Sequence, residues 1–175
     1  MTLPPDALVS GGDVLSMLAA TGAFRKTADQ LLAEHGIADV QATGWYPLAA
    51  YAEVMRELEQ RVGPNTLFRI GKEIPSHIAM PPGLDTFERV AASFGPAFSM
   101  NHRNAGSGRI DYEISAPDSA TIVSGTPYPC DFDRGVIMGF FHALLQITPH
   151  YQHDNLLCKK KGAAVCVHYV SRNPR

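Results

Sequence analysis

The 175-residue sequence has the length of one domain, and 45% hydrophobic with 18% charged residues is ordinary globular usage. A net charge of −2, with histidine neutral, argues against a nucleic-acid-binding protein, which would carry a basic surface. The longest apolar stretch, 136–145, is shorter than the ~18–20 residues that span a bilayer. Three cysteines are an odd number, which disfavours a secreted disulfide framework. We therefore predict a single cytoplasmic domain over residues 1–175 without membrane insertion.

The first half of the sequence is predicted to be helical, because apolar residues recur there at helical spacing. The strongest helix is predicted over residues 47–62, where Glu and Arg fill the opposite face and Gly63-Pro64 ends it. Further helices are predicted over residues 13–20, 24–34, 66–74 and 84–94.

The second half changes to strand periodicity. Alternation predicts strands over 110–114 and 120–124, and a third over 98–101. Residues 131–147 are apolar nearly all round and predict a central buried helix. A hairpin is predicted from 155–159 and 164–171, turning at Lys161-Gly162. The fold class is therefore α+β, with N-terminal helices packed on a small antiparallel sheet, a central buried helix and a C-terminal cysteine-bearing hairpin.

The cysteines form the most specific pattern in the sequence. In the predicted hairpin Cys158 and Cys166 would be a cross-strand pair, which is half of a tetrahedral zinc site or a potential disulfide. Cys130, just before the buried helix, could join them. The alternative is three small, inert core residues. Candidates for a fourth ligand lie nearby at His150, His153, Asp154 and His168.

The last fifty residues resemble the 4-vinyl reductase domain family. The resemblance rests on Tyr128-Pro129-Cys130, on Gly135 and Gly139 in an apolar helix, and on Cys158 and Cys166 flanking Lys161-Gly162-Ala163. It implies a fold shared with haem-nitric-oxide-binding and Golgi-tethering domains, with a buried pocket between helices and sheet. It also implies a zinc site at the three cysteines. Asn155 stands where zinc-binding members carry glutamate. Either His153 or Asp154 completes the site instead, or the metal affinity is reduced, or zinc is absent.

A pocket between the sheet and the central helix is predicted to bind a small apolar or aromatic molecule. The same residues could instead simply fill the core. The leading function is a sensor-type domain that signals through a protein partner or a homodimer. The residues predicted to contact the ligand are Trp45, His102, Tyr112, Tyr128, Phe132, Met138, Phe141 and His142.

Three other functions stay open. A haem-based gas or redox sensor would use His77, His102 or His142 as the axial ligand. The ending Tyr169-Val170-Ser171-Arg172 is loosely similar to the Tyr-x-Ser-x-Arg motif of the nitric-oxide sensors. An enzyme of tetrapyrrole metabolism is disfavoured, since no nucleophile elbow, phosphate loop or dinucleotide fingerprint is present. A tether that binds only a protein partner is the last alternative.

Overall fold

The N-terminal half combines helices with a small sheet in a computed structural model that describes residues 3–106 and 108–173. The Ser10 hydroxyl begins the first helix by accepting a 3.1 Å hydrogen bond from the Asp13 amide. The elements are β1 (Leu8–Ser10), α1 (Gly11–Ala20), a 3₁₀ turn (Gly22–Phe24), α2 (Arg25–Glu34), β2 (Trp45–Pro47), α3 (Leu48–Val62), α4 (Pro64–Glu73) and a second 3₁₀ turn (Ile74–His77).

The C-terminal half builds a four-stranded antiparallel sheet and packs two long helices against the rest. Its elements are α5 (Phe87–Asn101), β3 (His102–Arg103), β4 (Ile110–Ala116), β5 (Ser119–Ser124), α6 (Cys130–Leu145), β6 (His150–His153), a 3₁₀ turn (Lys159–Lys161) and β7 (Cys166–Ser171). The strand order is β4-β5-β7-β6, and β1 lies between β2 and β3 in the smaller sheet. The predicted α+β class is confirmed.

Helices α4 and α6 touch through their backbones. A methyl group built on Gly135 would lie 2.2 Å from the Phe68 carbonyl oxygen, and one on Gly139 would lie 2.3 Å from that of Lys72. From the α4 side, a methyl group on Gly71 would meet the Phe132 carbonyl at 2.4 Å. These glycines therefore allow the close packing of α4 against α6.

Two aromatic and aliphatic clusters form the core. One lies among the N-terminal helices and includes Leu31, Met55 and Leu58; the other joins α5, α6 and the large sheet through Phe87 and Phe141. In the part of the chain that is described, no helix has both the length and the apolar character needed to cross a membrane.

Three local predictions were wrong. Residues 98–101 belong to α5, which continues through Pro96 instead of ending near Phe94. The strand that precedes β7 and pairs with it is β6, at His150–His153. Residues 155–159 are therefore not a strand, and Cys158 does not pair with Cys166. Cys166 faces Ser124 of β5 instead. The physical reason is a loop closed by backbone hydrogen bonds, in which the Val167 amide donates to the Leu157 carbonyl and Gly162 adopts a positive φ.

Candidate functional site: a buried chamber beside a Cys3His cluster

A chamber of about 120 Å³ lies between α5, α6, the large sheet and the N-terminal helices. Its walls are mainly aromatic and aliphatic, with a few polar groups, as is usual for small-molecule sites. The residues that line it include Asp13, Tyr51, Phe98, His102, Tyr128, Phe132, Asp133, Val136 and Ile137.

A histidine–tyrosine pair forms one wall of this chamber. His102 Nδ1 lies 2.8 Å from the Phe98 carbonyl oxygen and Nε2 lies 2.5 Å from the Tyr128 hydroxyl. Because a carbonyl can only accept, Nδ1 carries the hydrogen and Nε2 accepts from Tyr128. The imidazole also stacks on Phe98, with ring centroids 3.9 Å apart. Burial lowers the pKa of His102 to about 4, so the ring is neutral.

A charged network closes the chamber on the α6 side. The Asp133 carboxylate accepts hydrogen bonds from the hydroxyls of Ser124, at 2.5 Å, and Thr126, at 2.7 Å. The Lys159 ammonium donates to the same carboxylate at 2.8 Å and to the carbonyls of Thr126 and Tyr128. A buried carboxylate is stable only when paired and hydrogen-bonded in this way. Asp133 is therefore a buried part of the chamber wall.

The three cysteines converge next to this network. The sulfurs of Cys130, Cys158 and Cys166 and one ring nitrogen of His153 all lie within 4.8 Å of one another. Cys130 Sγ and Cys158 Sγ are 4.0 Å apart. Zinc–sulfur bonds of about 2.3 Å at tetrahedral angles place sulfurs about 3.8 Å apart, so these residues could hold a tetrahedral metal ion.

In the Cys3His cluster the pKa shifts of Cys166 and His153 favour the protonation states of metal ligands, whereas the shift of Cys130 opposes them. A shared hydrogen bond lowers the pKa of Cys166 and raises that of Cys130, and the Lys159 backbone amide, 3.3 Å from Cys166 Sγ, lowers that of Cys166 further. Burial lowers the pKa of His153, and its Nε2 is buried without a hydrogen-bond partner among the described residues. Metal binding requires a neutral imidazole and thiolates.

The loop that carries Cys158 is shaped by a different acidic residue. The Asp154 carboxylate accepts the amides of Leu156 and Leu157, each at 2.8 Å, and the Tyr169 hydroxyl at 3.0 Å. Asp154 is therefore occupied in forming the loop. His153 and Asp154 were the two residues proposed to replace the glutamate ligand that is absent at position 155. His153 is the one that lies with the three cysteines.

The predicted ligand-contacting residues divide into two groups. The chamber includes His102, Tyr128 and Phe132. The other five lie elsewhere. The Trp45 ring lies under the Arg103 guanidinium, and Phe141 packs on Phe87 in the core. Tyr112 is exposed on the edge strand β4, His142 is exposed near the end of α6, and Met138 does not line the chamber. His142 was misplaced because α6 is not apolar on all faces: both His142 and Ala143 face solvent.

Most of the residues that line the chamber were not predicted to do so, among them Asp13, Tyr51, Phe94 and Val136. Tyr51 looked like an ordinary core position on α3. Asp13 could have been noticed, because an acidic residue lies there among Val14, Leu15 and Met17 in a short apolar helix.

No protein-family model matches the sequence, and no protein of the curated collections matches it. Solved structures do. An H-NOX protein from S. oneidensis in the Fe(II)NO ligation state has a TM-score of 0.68 at 13% identity, covering 93% of this chain and 99% of that one. An Fe(II) form of a mutant of an H-NOX protein from S. oneidensis has a TM-score of 0.67 at 14% identity, covering 94% and 96%. Fe(II) unliganded H-NOX from K. algicida has a TM-score of 0.61 at 12% identity, covering 95% and 97%.

These matches establish the fold and correct the family assignment. The chain has the H-NOX fold, as the resemblance had implied for its architecture. The assignment to the 4-vinyl reductase family was wrong, since no family model supports it and the structural similarity to H-NOX proteins extends over nearly the whole chain.

The neutral, buried His102 predicts a specific pH dependence of stability. Its pKa of about 4 in the folded chain lies below the ordinary value of 6.5. Between these two pH values the unfolded chain therefore binds a proton at this residue and the folded chain does not. Stability is therefore lost as the pH falls from about 6.5 to about 4, by up to about 1.4 kcal/mol per pH unit for this residue. Urea unfolding at several pH values should show a shallower dependence for His102→Gln. Exposed His142→Gln is the control, and an equal slope in wild type and His102→Gln would contradict the assignment.

Proposed function

We propose that this chain is a sensor-type domain that binds a small ligand in the buried chamber and holds a zinc ion at the Cys3His cluster. The observation that carries the proposal is the chamber itself, enclosed by aromatic side chains with a neutral His102–Tyr128 pair in its wall. Such a combination of apolar walls and a few oriented polar groups is the usual form of a small-molecule site.

The size of the chamber limits the ligand. A cavity of about 150 Å³ lined by apolar side chains stays dry and binds benzene. The chamber here, at about 120 Å³, has room for one small ring or a short chain. Tyr128 contacts Tyr51 and Phe132 edge to face, at centroid distances of 5.6 and 5.7 Å, so the aromatic wall is tightly packed.

Zinc is the metal that the Cys3His cluster fits best. Three sulfurs and one imidazole nitrogen form one of the usual ligand sets of structural zinc, and all three cysteines are buried. Closed four-ligand sites stabilise a fold and do not catalyse. The proposed role of the metal is therefore to fix the loop that carries Lys159 against the chamber wall.

A haem-based gas sensor is the second candidate, because the structurally similar proteins are described in Fe(II), Fe(II)NO and Fe(II)CO states. The tautomer of His102 suits an axial ligand, since Nδ1 donates to a carbonyl and Nε2 carries the lone pair, which here accepts from the Tyr128 hydroxyl. The chamber by itself, at about 120 Å³, holds about one of the four pyrrole rings of the macrocycle, although a groove of about 1,130 Å³ adjoins it.

The motif that suggested haem at the C-terminus does not face the chamber. The Tyr169 hydroxyl donates to Asp154, and Arg172 pairs with Asp118 at 3.1 Å. Tyr128 already satisfies His102 Nε2. These contacts favour small-ligand binding, whereas the solved structures that share the fold favour haem, so a haemin titration decides between the two proposals.

Ligand binding in the chamber can be tested with benzene and toluene as probes. Toluene is expected to bind wild-type protein and to shift the methyl resonances of Val136 and Ile137, which line the chamber. Ala97→Leu, at the chamber wall, should remove binding by filling the space, and Ala143→Leu, on the exposed face of α6, should not. Undiminished binding to Ala97→Leu would place the ligand elsewhere and contradict the proposal.

Haem binding has its own test. Titration of the purified protein with haemin is expected to give no stoichiometric Soret band, and His102→Ala should leave the spectrum unchanged. A one-to-one complex whose iron–histidine signature disappears in His102→Ala would overturn the size argument and favour the gas sensor.

A further inference from the structure

The chamber shares part of its wall with a much larger surface groove. This groove has a volume of about 1,130 Å³ and runs between α1, α5 and the segment that follows α4. Its wall includes Ile78, Met80, Leu84 and Met100, so it is largely apolar. The groove and the chamber share six lining residues, Asp13, Ser16, Ile78, Ala97, Asn101 and Phe140. The six shared residues, which we call the throat, therefore form the boundary between the groove and the chamber.

Asp13 is the only acidic residue among the six throat residues. No donor among residues 3–106 and 108–173 lies within hydrogen-bond distance of its carboxylate; only its backbone amide is bonded, to Ser10. Desolvation raises the pKa of Asp13 to about 7. Burial raises the pKa of Tyr51 and Tyr128, and the nearby Asp13 charge raises both further, which places this carboxylate close to the chamber tyrosines.

The other polar groups at the throat are already satisfied. The Ser16 hydroxyl donates to the Gly12 carbonyl at 2.8 Å, and the Asn101 amide donates to Ala97 and accepts from Ser10, each at 3.0 Å. The arginine of the groove, Arg89, pairs with Asp85 at 2.7 Å and so does not neutralise Asp13. Asp13 is half-buried, and the partial desolvation of an unpaired carboxylate costs free energy that a matching ligand group would recover.

We propose that the ligand is a small amine with one apolar ring or a short apolar chain, whose ammonium group binds the Asp13 carboxylate at the throat while its apolar part fills the chamber. This deepens the proposed function and rests on it. Asp13 is well placed for the purpose, since the throat lies between an apolar chamber and a groove open to water. An anionic ligand would be repelled by Asp13, and a purely apolar one would leave the carboxylate unpaired.

A structural role for Asp13 at the start of α1 does not explain its surroundings. A carboxylate in the first turn of a helix is stabilised by the helix dipole, but that effect needs no chamber and operates as well in water. At position 13 a solvent-facing carboxylate would keep its hydration. Here the side chain instead lines both the chamber and the groove.

The test compares three probes of nearly equal shape, 2-phenylethylamine, 2-phenylethanol and ethylbenzene, by calorimetry on the full chain. The amine is expected to bind at least tenfold more tightly than either neutral probe. Asp13→Asn keeps the size of the side chain and should remove this preference while leaving ethylbenzene affinity unchanged. Asp85→Asn, at an exposed acidic residue beside the groove, is the matched control and should keep the preference.

The outcomes separate the two proposals. Equal affinity for all three probes, or an amine preference that survives Asp13→Asn, would overturn the assignment of Asp13 while small-ligand binding in the chamber stands. Failure of all three probes to bind wild-type protein would overturn both. The amine preference together with its loss in Asp13→Asn supports both.

Discussion

Purified without added metal, the protein is expected to carry about one zinc ion per chain, and Cys158→Ser is expected to lose it. Metal binding free energy becomes folding free energy when the site forms only in the folded chain. Loss of the ion should therefore lower the free energy of unfolding by about 3 kcal/mol or more. Elemental analysis gives the stoichiometry, and thermal melting with and without a chelator gives the effect on stability.

The strand β6 supplies the control for zinc binding. His153 and His150 stand at its two ends, but only His153 belongs to the Cys3His cluster. His153→Asn should weaken zinc binding strongly, whereas His150→Asn, at an exposed position, should leave it intact. The prediction is contradicted if wild-type protein purifies without zinc and Cys158→Ser melts at the same temperature as wild type. The cysteines would then be ordinary core residues.

Gly139→Ala is expected to destabilise the fold strongly, even though alanine favours helices by about 1 kcal/mol over glycine. The added methyl group would lie 2.3 Å from the Lys72 carbonyl oxygen and 3.0 Å from the Lys72 Cα. Both are backbone atoms, so α4 and α6 would have to move apart. Overpacking of this kind costs about 1–3 kcal/mol. The rigid backbone contact puts the cost at the top of that range, so the expected net loss after the gain in helix propensity is about 2 kcal/mol in urea unfolding.

Gly12→Ala is the control for this prediction. A methyl group on Gly12, also in a helix, would meet nothing closer than the Ser10 hydroxyl at 3.7 Å. Its stability should be unchanged or slightly higher. If Gly139→Ala and Gly12→Ala proved equally stable, the two helices would not be held by close backbone contact.

The regular elements of the fold were predictable because their patterns are local. Helix α3 shows clear helical periodicity, and strand β5 is a short run of small and β-branched residues bounded by turn residues. Helix α5 was cut short because Pro96 reads as a helix end, yet the chain continues through it. Strands β1 and β3 hold three and two residues, and they form only because tertiary contacts bring them together.

The site was predictable only in part, for a related reason. The spacing of Cys130, Cys158 and Cys166 suggested that they meet, and they do, although by a loop and not by the predicted hairpin. The chamber depends on which face each helix turns inward. On α6, Phe132 is buried and His142 is exposed. The local sequence at the end of this helix does not indicate which of its faces is exposed.

The position of Lys159 in the chain connects the two halves of the site. It follows Cys158 directly, its amide donates to Cys166 Sγ, and its ammonium holds Asp133 in the chamber wall. An ion on the cysteines and a molecule in the chamber would thus share one residue as a common support. Thermodynamic linkage then makes the two binding events reciprocal. If the ion raises the affinity for the molecule by some factor, the molecule raises the affinity for the ion by the same factor.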